Sequence, residues 1–400
     1  MKLLFVVSTL GTGGAQKVAA ELSIALSKYY DIDFLLNDDK DIAFKHSGRI
    51  LDLGLKENKE KLGFIYQMIV FVRRITRIRG LTKNNEYKAV ISFLDSANYA
   101  NILGTSGKSK KVCTLHSALS ASDNWKEKYV VVSLNRIIYR FADTIACVSK
   151  GVESDLKSYL KSDHDRIITL YNGFDLTKLR ALGDEEPDSA DNDLLSGDAI
   201  ISTVGRVCRD KAQWHLVRAM TVVVKSYPQA KLVIVGEGPY TDYIERLAKE
   251  MGLENNVFLT GFKTNPYTYI RRSKAVILTS LMEGLPTVLI EALALGVPCI
   301  STDFTAGARE ILAPEIGSES VNLEEPIYKG TYGMITRLCD GVEYSASDPL
   351  SYEEELLAKA ILMILDDADL AENYRQKAAE AAARFDIKVI EKQWLEVIGD

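Results

Sequence analysis

Residues 275–301 read AVILTSLMEGLPTVLIEALALGVPCIS, and this stretch decides the fold class. Two apolar runs, 275–279 and 297–301, are typical of buried strands. Pro286 suits the first position of a helix and Gly296 suits the position after its last residue, so a helix connects the two strands. A strand, a helix and a second strand in this order predict parallel strands in one sheet.

The alternation of short apolar strands with amphipathic helices continues along most of the chain. Its 400 residues are enough for two domains, and 47% of them are hydrophobic, as in ordinary globular proteins. The strands predicted in the first half are 2–7, 31–36, 89–93, 111–115, 144–148 and 166–170. Those predicted in the second half are 199–204, 231–235, 256–260, 275–279 and 297–301. We therefore predict an α/β protein of two doubly wound, Rossmann-like domains facing across a cleft, with ligands at the carboxyl ends of the strands.

The domain boundary is predicted from an acidic stretch that is nearly free of large apolar residues. The first domain is expected at 1–178, an acidic linker at 179–198 and the second domain at 199–384. A terminal helix at 385–400 is expected to return to the first domain.

The formal net charge of −6 conceals two halves of opposite charge. Residues 1–180 carry 28 Lys and Arg against 19 Asp and Glu, a net charge of +9, and the remaining residues carry −15. The negative total argues against a general nucleic-acid-binding protein, so no nucleic acid is expected as a partner. The basic first half instead favours an anionic partner.

The cysteine, histidine and hydropathy patterns exclude several classes of protein. The five cysteines are dispersed without a CxxC pair, which is typical of reduced thiols in a reducing compartment. The four histidines are far apart in the sequence, so we expect no metal site. The amino terminus is interpreted as a strand and not as a secretory signal, and no apolar run approaches the roughly 18 residues that span a bilayer.

A glycine-rich loop follows the first predicted strand. Gly13 and Gly14 allow the backbone to turn tightly and approach a bound group, and the N–H groups that start the next helix favour an anion. The dinucleotide fingerprint GxGxxG would need glycine where Gln16 stands, which argues against an NAD-dependent oxidoreductase. The loop alone is equally compatible with a structural turn.

Cations follow the strand that opens the second domain, in the segment GRVCRDK at 205–211. Arg206 and Lys211, at the carboxyl end of a strand and before a helix, have the charge to neutralise a diphosphate. The alternative is that they are solvated loop charges.

Two carboxylates frame the helix that follows strand 275–279. Glu283 stands in the loop before that helix, and Glu291 lies among apolar residues within it. A carboxylate on an apolar helix is costly unless it is paired or binds something. The arrangement suits a phosphorylated ligand rich in hydroxyl groups, with a structural ion pair at Glu291 as the alternative.

In the segment EGLPTVLIE, Glu283 and Glu291 are separated by seven residues, which resembles the EX7E motif of the retaining GT-B glycosyltransferases of family 4. Further segments match in the family's order, namely GGAQKV at 13–18, TLHS at 114–117, ADTIACVS at 142–149, YNGFD at 171–175, GRVCRDK at 205–211 and VGEGP at 235–239. Segments 265–270 and 306–312 resemble the branch that builds bacterial capsule, exopolysaccharide or lipid-linked oligosaccharides.

The resemblance implies transfer of a hexose or N-acetylhexosamine, with retention, from a nucleotide diphosphate sugar, UDP more than GDP, to a polyprenyl-linked saccharide acceptor. It implies that Arg206 and Lys211 hold the diphosphate in place of a metal, that Glu291 binds the ribose and that Glu283 holds the sugar. His116 resembles the family histidine near the reacting sugar, although a lone histidine is often structural. The other implied donor-binding residues are Gly13, Gly14, Gly236, Gly261, Phe262, Gly284, Leu285, Thr287 and Val288. No cofactor or metal is implied.

The sequence also departs from the family pattern. Ala212 stands where the family commonly has glycine after the lysine, and segment 314–348 is longer than the usual connection. Alternatives within the same fold are an epimerase acting on nucleotide sugars and a catalytically silent partner subunit that binds one. Asp-x-Asp triplets, as in metal-dependent glycosyltransferases, begin a strand or lie in polar loops and are expected by chance in an acidic chain. Paired carboxylates for glycoside hydrolysis explain the sequence less well, because hydrolysis leaves the glycine loops and the cation pair without a role.

A basic, apolar helix predicted at 60–83 is the candidate for the membrane and the acceptor. Its second half carries Arg73, Arg74, Arg77 and Arg79, and residues 126–140 repeat the pattern more weakly. Apolar residues beside clustered arginines suit an anionic membrane surface. The prediction is a cytoplasmic protein bound peripherally to the inner face of the cell membrane, with a core helix whose basic end is solvated as the alternative.

Overall fold

The computed structural model describes residues 1–11, 13–39, 42–54, 59–84, 86–117, 135–161, 165–304, 306–317 and 325–399. They form two compact units. The first contains Met1–Phe174 together with Asp386–Asp400, and the second contains Asp175–Phe385.

The first unit is built on a parallel sheet of seven strands in the order β3-β2-β1-β4-β5-β6-β7. The strands are β1 (Lys2–Val6), β2 (Asp31–Leu36), β3 (Arg49–Asp52), β4 (Tyr87–Phe93), β5 (Lys110–Leu115), β6 (Thr144–Cys147) and β7 (Ile167–Thr169). Helices of Met1–Phe174 whose bounds lie within the described residues include α1 (Gly14–Leu26), α2 (Lys59–Thr82), α3 (Asp95–Gly104) and α4 (Lys150–Leu160). The strand order reverses beside β1, whose neighbours are β2 and β4, and ligands bind at such a point in open α/β sheets.

The second unit contains a sheet in the order β10-β9-β8-β11-β12-β14-β13, parallel except for the pair β13 and β14. Its strands are β8 (Ile200–Val204), β9 (Lys231–Val235), β10 (Val257–Gly261), β11 (Ala275–Leu278), β12 (Cys299–Thr302), β13 (Ile327–Lys329) and β14 (Met334–Thr336). Its helices are α5 (Leu176–Gly183), α6 (Gln213–Ser226), α7 (Thr241–Glu250), α8 (Tyr267–Arg271), α9 (Thr287–Ala294), α10 (Ala306–Leu312), α11 (Tyr352–Asp366) and α12 (Ala368–Ala383).

The last helix, α13 (Ile387–Ile398), packs with the first unit. Its apolar face, including Ile390 and Trp394, is buried in the core formed by β1, β2 and β4. The N–H of Ile387 donates to the carbonyl of Phe174 over 2.8 Å. The spacing of its apolar residues, about one helical turn apart, explains why one face of this helix is buried.

All eleven strands predicted from the sequence occur, each within two residues at either end. Three short strands, β3, β13 and β14, were not predicted as strands. β13 and β14 lie in the long segment 314–348, where each has only three residues and β13 is polar enough to lack a periodic pattern.

The acidic segment predicted as a linker packs within the second unit. Asp191 accepts hydrogen bonds from the hydroxyl of Tyr269 over 2.5 Å and pairs with Lys263 over 2.7 Å. Leu195 is buried against β8 and β9. Asp191 therefore pairs with a basic residue just beyond β10, which composition alone does not reveal.

Candidate functional site

In the second unit, the loops after β8, β9 and β10 lie against one another at the carboxyl edge of the sheet. The N–H of Gly205 donates to the carbonyl of Val235 over 2.9 Å, and that of Gly236 donates to the carbonyl of Gly261 over 2.9 Å. A Cβ atom on Gly236 would lie 2.0 Å from the carbonyl oxygen of Gly205, and the φ of Gly236 is +140°. Only glycine fits at this contact, so Gly236 allows the loops after β8 and β9 to pack directly on each other.

The loop at 205–211 is held in place from two sides. The side-chain amide of Gln213 donates to the carbonyl of Arg206 over 3.1 Å. The N–H of Leu281 donates to the carbonyl of Asp210 over 2.8 Å, and the hydroxyl of Thr279 donates to the carbonyl of Lys211 over 3.0 Å. The segment that follows β11 therefore fixes the position of Lys211.

Lys211 and Glu283, which the family resemblance assigns to the diphosphate and the sugar, form an ion pair. Nζ of Lys211 lies 2.7 Å from Oε2 of Glu283, and both side chains are partly exposed. The hydroxyl of Ser280 donates to the other carboxylate oxygen of Glu283 over 2.6 Å. The side chain of Arg206 is exposed on the same loop as Lys211. A cation held at a strand end by a reachable carboxylate is able to exchange that partner for a phosphate oxygen.

Ala212, which departs from the family's glycine, adopts the left-handed conformation, with φ 47° and ψ 40°. Its methyl group is fully buried. Glycine adopts this conformation without steric cost, which explains why a glycine suits the position.

The loop 283–286 leads into α9, whose start is not capped by a side chain of the described residues. Pro286 precedes the first helical residue, one position earlier than predicted, because Thr287 begins the helix. In the first helical turn the N–H of Leu289 donates to the carbonyl of Pro286 over 3.1 Å, which leaves the N–H groups of Thr287 and Val288 as its donors for an anion. Gly296 has φ +73° just beyond the helix, as its predicted place after the last residue requires.

The start of α10 packs directly on this loop. A Cβ atom on Gly307 would lie 2.6 Å from the carbonyl oxygen of Gly284 and 3.1 Å from Cδ of Pro286. Arg309, on the same helix, pairs through Nε with Asp303 over 2.6 Å. Leu285 and Val288 are buried, whereas Thr287 is half-buried.

Glu291 is only 6% exposed, and it accepts a hydrogen bond from the hydroxyl of Tyr267 over 3.3 Å. Phe262 lies in the loop after β10 and has 66% of its surface exposed. Gly261, the residue before it, has φ +71°. The roles in ribose and nucleobase binding stay predictions.

The remaining predicted site residues lie in the first unit. Gly13, with φ +146°, precedes Gly14, the first residue of α1. His116 follows β5, and its Nε2 lies 3.0 Å from the hydroxyl of Thr114. Together with Asn172 and Trp394, His116 lines a cavity of about 20 Å³. Burial lowers the pKa of His116 to about 4, so the imidazole is neutral at pH 7.

On α2, the structure separates the four predicted arginines. Arg73, Arg77 and Arg79 are exposed, as are Met68 and Val72 on the same helix. Arg74 is 1% exposed, so its predicted contact with a membrane surface is wrong. Consecutive helical residues point about 100° apart, and Arg74 therefore faces the sheet. Residues 126–134 of the second basic segment lie outside the described residues.

Sequence reasoning missed several residues that hold the site in place. They are Gln213, Tyr267, Thr279, Ser280 and Gly307. Hydroxyl, amide and glycine residues are common in any chain, so only their contacts distinguish these five. Nothing in the sequence therefore marks these five residues as part of the site.

The described part of the chain contains neither a helix that could span a membrane nor a group of residues that could hold a metal ion. Within it, no helix has both the length and the apolar character needed to cross a membrane. Nor does any group of three or more His, Cys, Asp and Glu residues in these ranges have an arrangement that would hold a metal ion.

Family models match both units of the chain. The model of Glycosyltransferase Family 4 matches residues 12–178, and the model of Glycosyl transferases group 1 matches residues 184–318.

Two relatives illustrate the range of similarity. An uncharacterized glycosyltransferase of Methanocaldococcus jannaschii is 33% identical over 66% of this chain and 65% of its own length. The N-acetylgalactosamine-N,N'-diacetylbacillosaminyl-diphospho-undecaprenol 4-alpha-N-acetylgalactosaminyltransferase of Campylobacter jejuni is 27% identical over 96% of both chains.

Solved structures share the fold. The Anabaena protein HepE, crystallised with UDP and glucose, matches with a TM-score of 0.75 and 20% identity over the full length of both chains. Sucrose-phosphate synthase of Thermosynechococcus elongatus matches with a TM-score of 0.75 and 20% identity over 99% of this chain and 98% of its own. The prediction of two Rossmann-like α/β domains of the GT-B class is confirmed.

Proposed function

We propose that this chain, which belongs to the glycosyltransferases of family 4, transfers a hexose or N-acetylhexosamine from a UDP-sugar to a polyprenyl-linked saccharide. The observation that carries the proposal is the ion pair of Lys211 and Glu283, which joins two loops beside the uncapped start of α9. The cation, the carboxylate and the N–H groups of Thr287 and Val288 match the charge and hydroxyl pattern of a nucleotide sugar.

The diphosphate is assigned to Lys211 and Arg206, with the N–H groups at the start of α9. These donors stabilise the negative charge that grows on the leaving nucleoside diphosphate, and in this proposal they replace a metal ion. Glu283 holds Lys211 in position and accepts hydrogen bonds from the donor sugar. The backbone of the loop at 205–211 is held by Gln213, Thr279 and Leu281, so the loop that carries the two cations is positioned before the donor binds.

The proposed transfer retains the anomeric configuration. The bond between the anomeric carbon and the diphosphate oxygen breaks, and an acceptor hydroxyl forms a new bond on the same face. The leaving phosphate oxygen takes the proton of that hydroxyl, so no protein nucleophile is required. Neutral His116 is assigned a hydrogen bond to the reacting sugar, which its low pKa favours over an ionic contact.

The acceptor class follows from relatives and from the charge of the first half. Two Campylobacter jejuni relatives are named for transfer to diphospho-undecaprenol saccharides, and a Bacillus subtilis relative is named the putative glycosyltransferase EpsF. The exposed Arg73, Arg77 and Arg79 lie on a helix that also exposes apolar side chains. We assign this surface to peripheral binding on the anionic inner face of the cell membrane, where such an acceptor is held.

A donor panel tests the function. The full chain is incubated with UDP- and GDP-sugars, a diphosphoprenyl saccharide and EDTA, and the release of nucleotide and the mass of the product are measured. We expect UDP release that depends on the acceptor, with NMR showing the product linkage in the donor's configuration. Absence of nucleotide release with every donor would overturn the proposal in favour of a silent partner subunit, and a new sugar nucleotide without acceptor would indicate an epimerase.

A further inference from the structure

Arg74 is a cation buried beneath the point where the strand order of the first sheet reverses. One of its terminal nitrogens donates to the hydroxyl of Ser96 over 3.1 Å. The other donates to Oδ1 of Asn37 over 2.6 Å and to the hydroxyl of Ser8 over 3.4 Å. Ser8 and Asn37 follow β1 and β2, and Ser96 lies in the first turn of α3 after β4. The guanidinium therefore joins the loops that leave three adjacent strands.

These partners are all uncharged, and among the described residues Arg74 has no carboxylate partner. Its Nε is buried without a hydrogen-bond acceptor in this part of the chain. Burial lowers the pKa of Arg74 to about 10, whereas a neighbouring carboxylate would raise it. The carboxylate of Asp95, beside Ser96, instead interacts with Tyr139. An uncompensated buried cation costs free energy in the folded protein, so its counter-charge is expected from outside the described residues.

The bonds to Arg74 determine what the partner residues offer to a ligand. Each serine oxygen accepts from the guanidinium, so each hydroxyl hydrogen points away from it as a donor. Oδ1 of Asn37 likewise accepts, which directs the two N–H groups of its amide away from Arg74. Ser96 is exposed, and Ser8 and Asn37 are half-buried, so a ligand is able to reach all three. Donors that converge beside a buried positive charge select an anion.

We infer that Ser8, Asn37 and Ser96, polarised by Arg74, form a phosphate-binding site in the first unit. Two further groups of donors accompany it. The glycine-rich loop with Gly13 begins at Ser8, and neither α1 nor α3 has a side-chain cap from the described residues at its start. The phosphate belongs to the diphosphate of the acceptor or to that of the donor. The identity of these two ligands rests on the proposed function, whereas the site itself is inferred from the contacts of Arg74.

The site is tested by calorimetric titration of the full chain at constant ionic strength. The probes are inorganic pyrophosphate, UDP and a short-chain prenyl diphosphate below its micellar concentration. All titrations use a Lys211→Ala background, so that the diphosphate site proposed in the second unit contributes little. The test variant adds Ser8→Ala and Ser96→Ala, which keep the buried guanidinium. The control adds Ser27→Ala, which removes a hydroxyl that bonds only to its own helix, at the carbonyl of Ile24.

We expect Ser8→Ala with Ser96→Ala to weaken prenyl diphosphate and pyrophosphate binding roughly tenfold or more, because two donors to an anion are lost. The control should stay within about twofold of its parent, and thermal unfolding should show that all variants are folded. A loss seen for UDP alone supports the site and assigns it to the donor diphosphate. Equal affinities in test and parent proteins, or no binding of any probe to the parent, would overturn the site. These titrations do not depend on turnover, so a failure of the proposed transferase activity is distinguished from a failure of the site.

Discussion

The ammonium group of Lys211 lies 2.7 Å from the carboxylate of Glu283, although the two residues belong to loops that follow different strands. β8 and β11 are neighbours in the sheet, so the loops at their carboxyl ends meet. The contact holds Lys211 where the N–H of Leu281 and the hydroxyl of Thr279 also fix its backbone. The ion pair thus connects the loop after β8 with the loop after β11.

Replacing Lys211 tests the electrostatic role of this pair. Lys211→Ala should lower kcat by about 10²–10³-fold, because a positioned donor to the developing charge is lost. The free energy of unfolding should change by about 1 kcal/mol or less, because partly exposed ion pairs contribute little to stability. Steady-state kinetics and urea denaturation measure the two effects. Arg209→Ala is the matched control, since it removes an exposed cation from the same turn, and a similar loss there would contradict a specific role for Lys211.

Gly307 tests the contact between α10 and the loop that carries Glu283. Gly307→Ala should destabilise the protein by about 1–3 kcal/mol and raise the KM for the donor, because its Cβ would lie 2.6 Å from the backbone oxygen of Gly284. Gly80→Ala is the control on α2, where no atom lies within 4 Å of the added Cβ. That change should stabilise by about 0.5–1 kcal/mol. Equal denaturation midpoints for the two variants would be inconsistent with the steric argument.

The backbone of Ala212 predicts a steep dependence on side-chain shape. Ala212→Val should destabilise by about 2–4 kcal/mol, because a β-branched residue is strained at φ 47° and its two added methyl groups would enter a fully buried position. Ala212→Gly should remain within about 1 kcal/mol of the parent, since the conformational relief and the lost methyl contact oppose each other. Urea denaturation measures both, and equal losses would disprove the backbone argument.

His116 should make stability depend on pH below neutrality. Its pKa is about 4 in the folded protein and about 6.5 in the unfolded chain, so between these values the unfolded chain binds more protons. The free energy of unfolding therefore falls as pH decreases from 6.5 towards 4, with a slope from this residue of at most about 1.4 kcal/mol per pH unit. In His116→Gln this contribution should disappear. Parallel stability curves for the variant and the parent over this range would contradict the lowered pKa.

Charge reversal on α2 tests the proposed membrane surface. Arg73→Glu with Arg77→Glu should reduce sedimentation with anionic liposomes more than tenfold, because each basic residue near the surface contributes about 1 kcal/mol. Lys225→Glu with Lys249→Glu, two exposed positions of the second unit, makes the same change in net charge and should bind as the parent does. Comparable losses in both double variants would show that net charge, and not this helix, drives the association.

Much of the fold is readable from the sequence because each parallel strand is a short apolar run and each helix has its own periodicity. The βαβ unit at 275–301 is an example, since Gly296 after α9 has the positive φ that its place predicts. The strands β13 and β14 escape this reasoning, because three-residue strands carry too few positions for a pattern. The acidic segment near Asp191 escapes it as well, since its partners Lys263 and Tyr269 are distant in sequence.

By itself, the sequence determined the two α/β domains and the loops with glycines and cations. It also determined that Glu283 lies in the loop before α9 and Glu291 within that helix. Those features depend on neighbours along the chain. Only the tertiary structure decided that Lys211 contacts Glu283 and that α10 supports their loop through Gly307. It also separated Arg74 from the exposed arginines beside it. The sequence does not distinguish neighbouring arginines, but the packing of α2 on the sheet buries Arg74 and leaves the other three exposed.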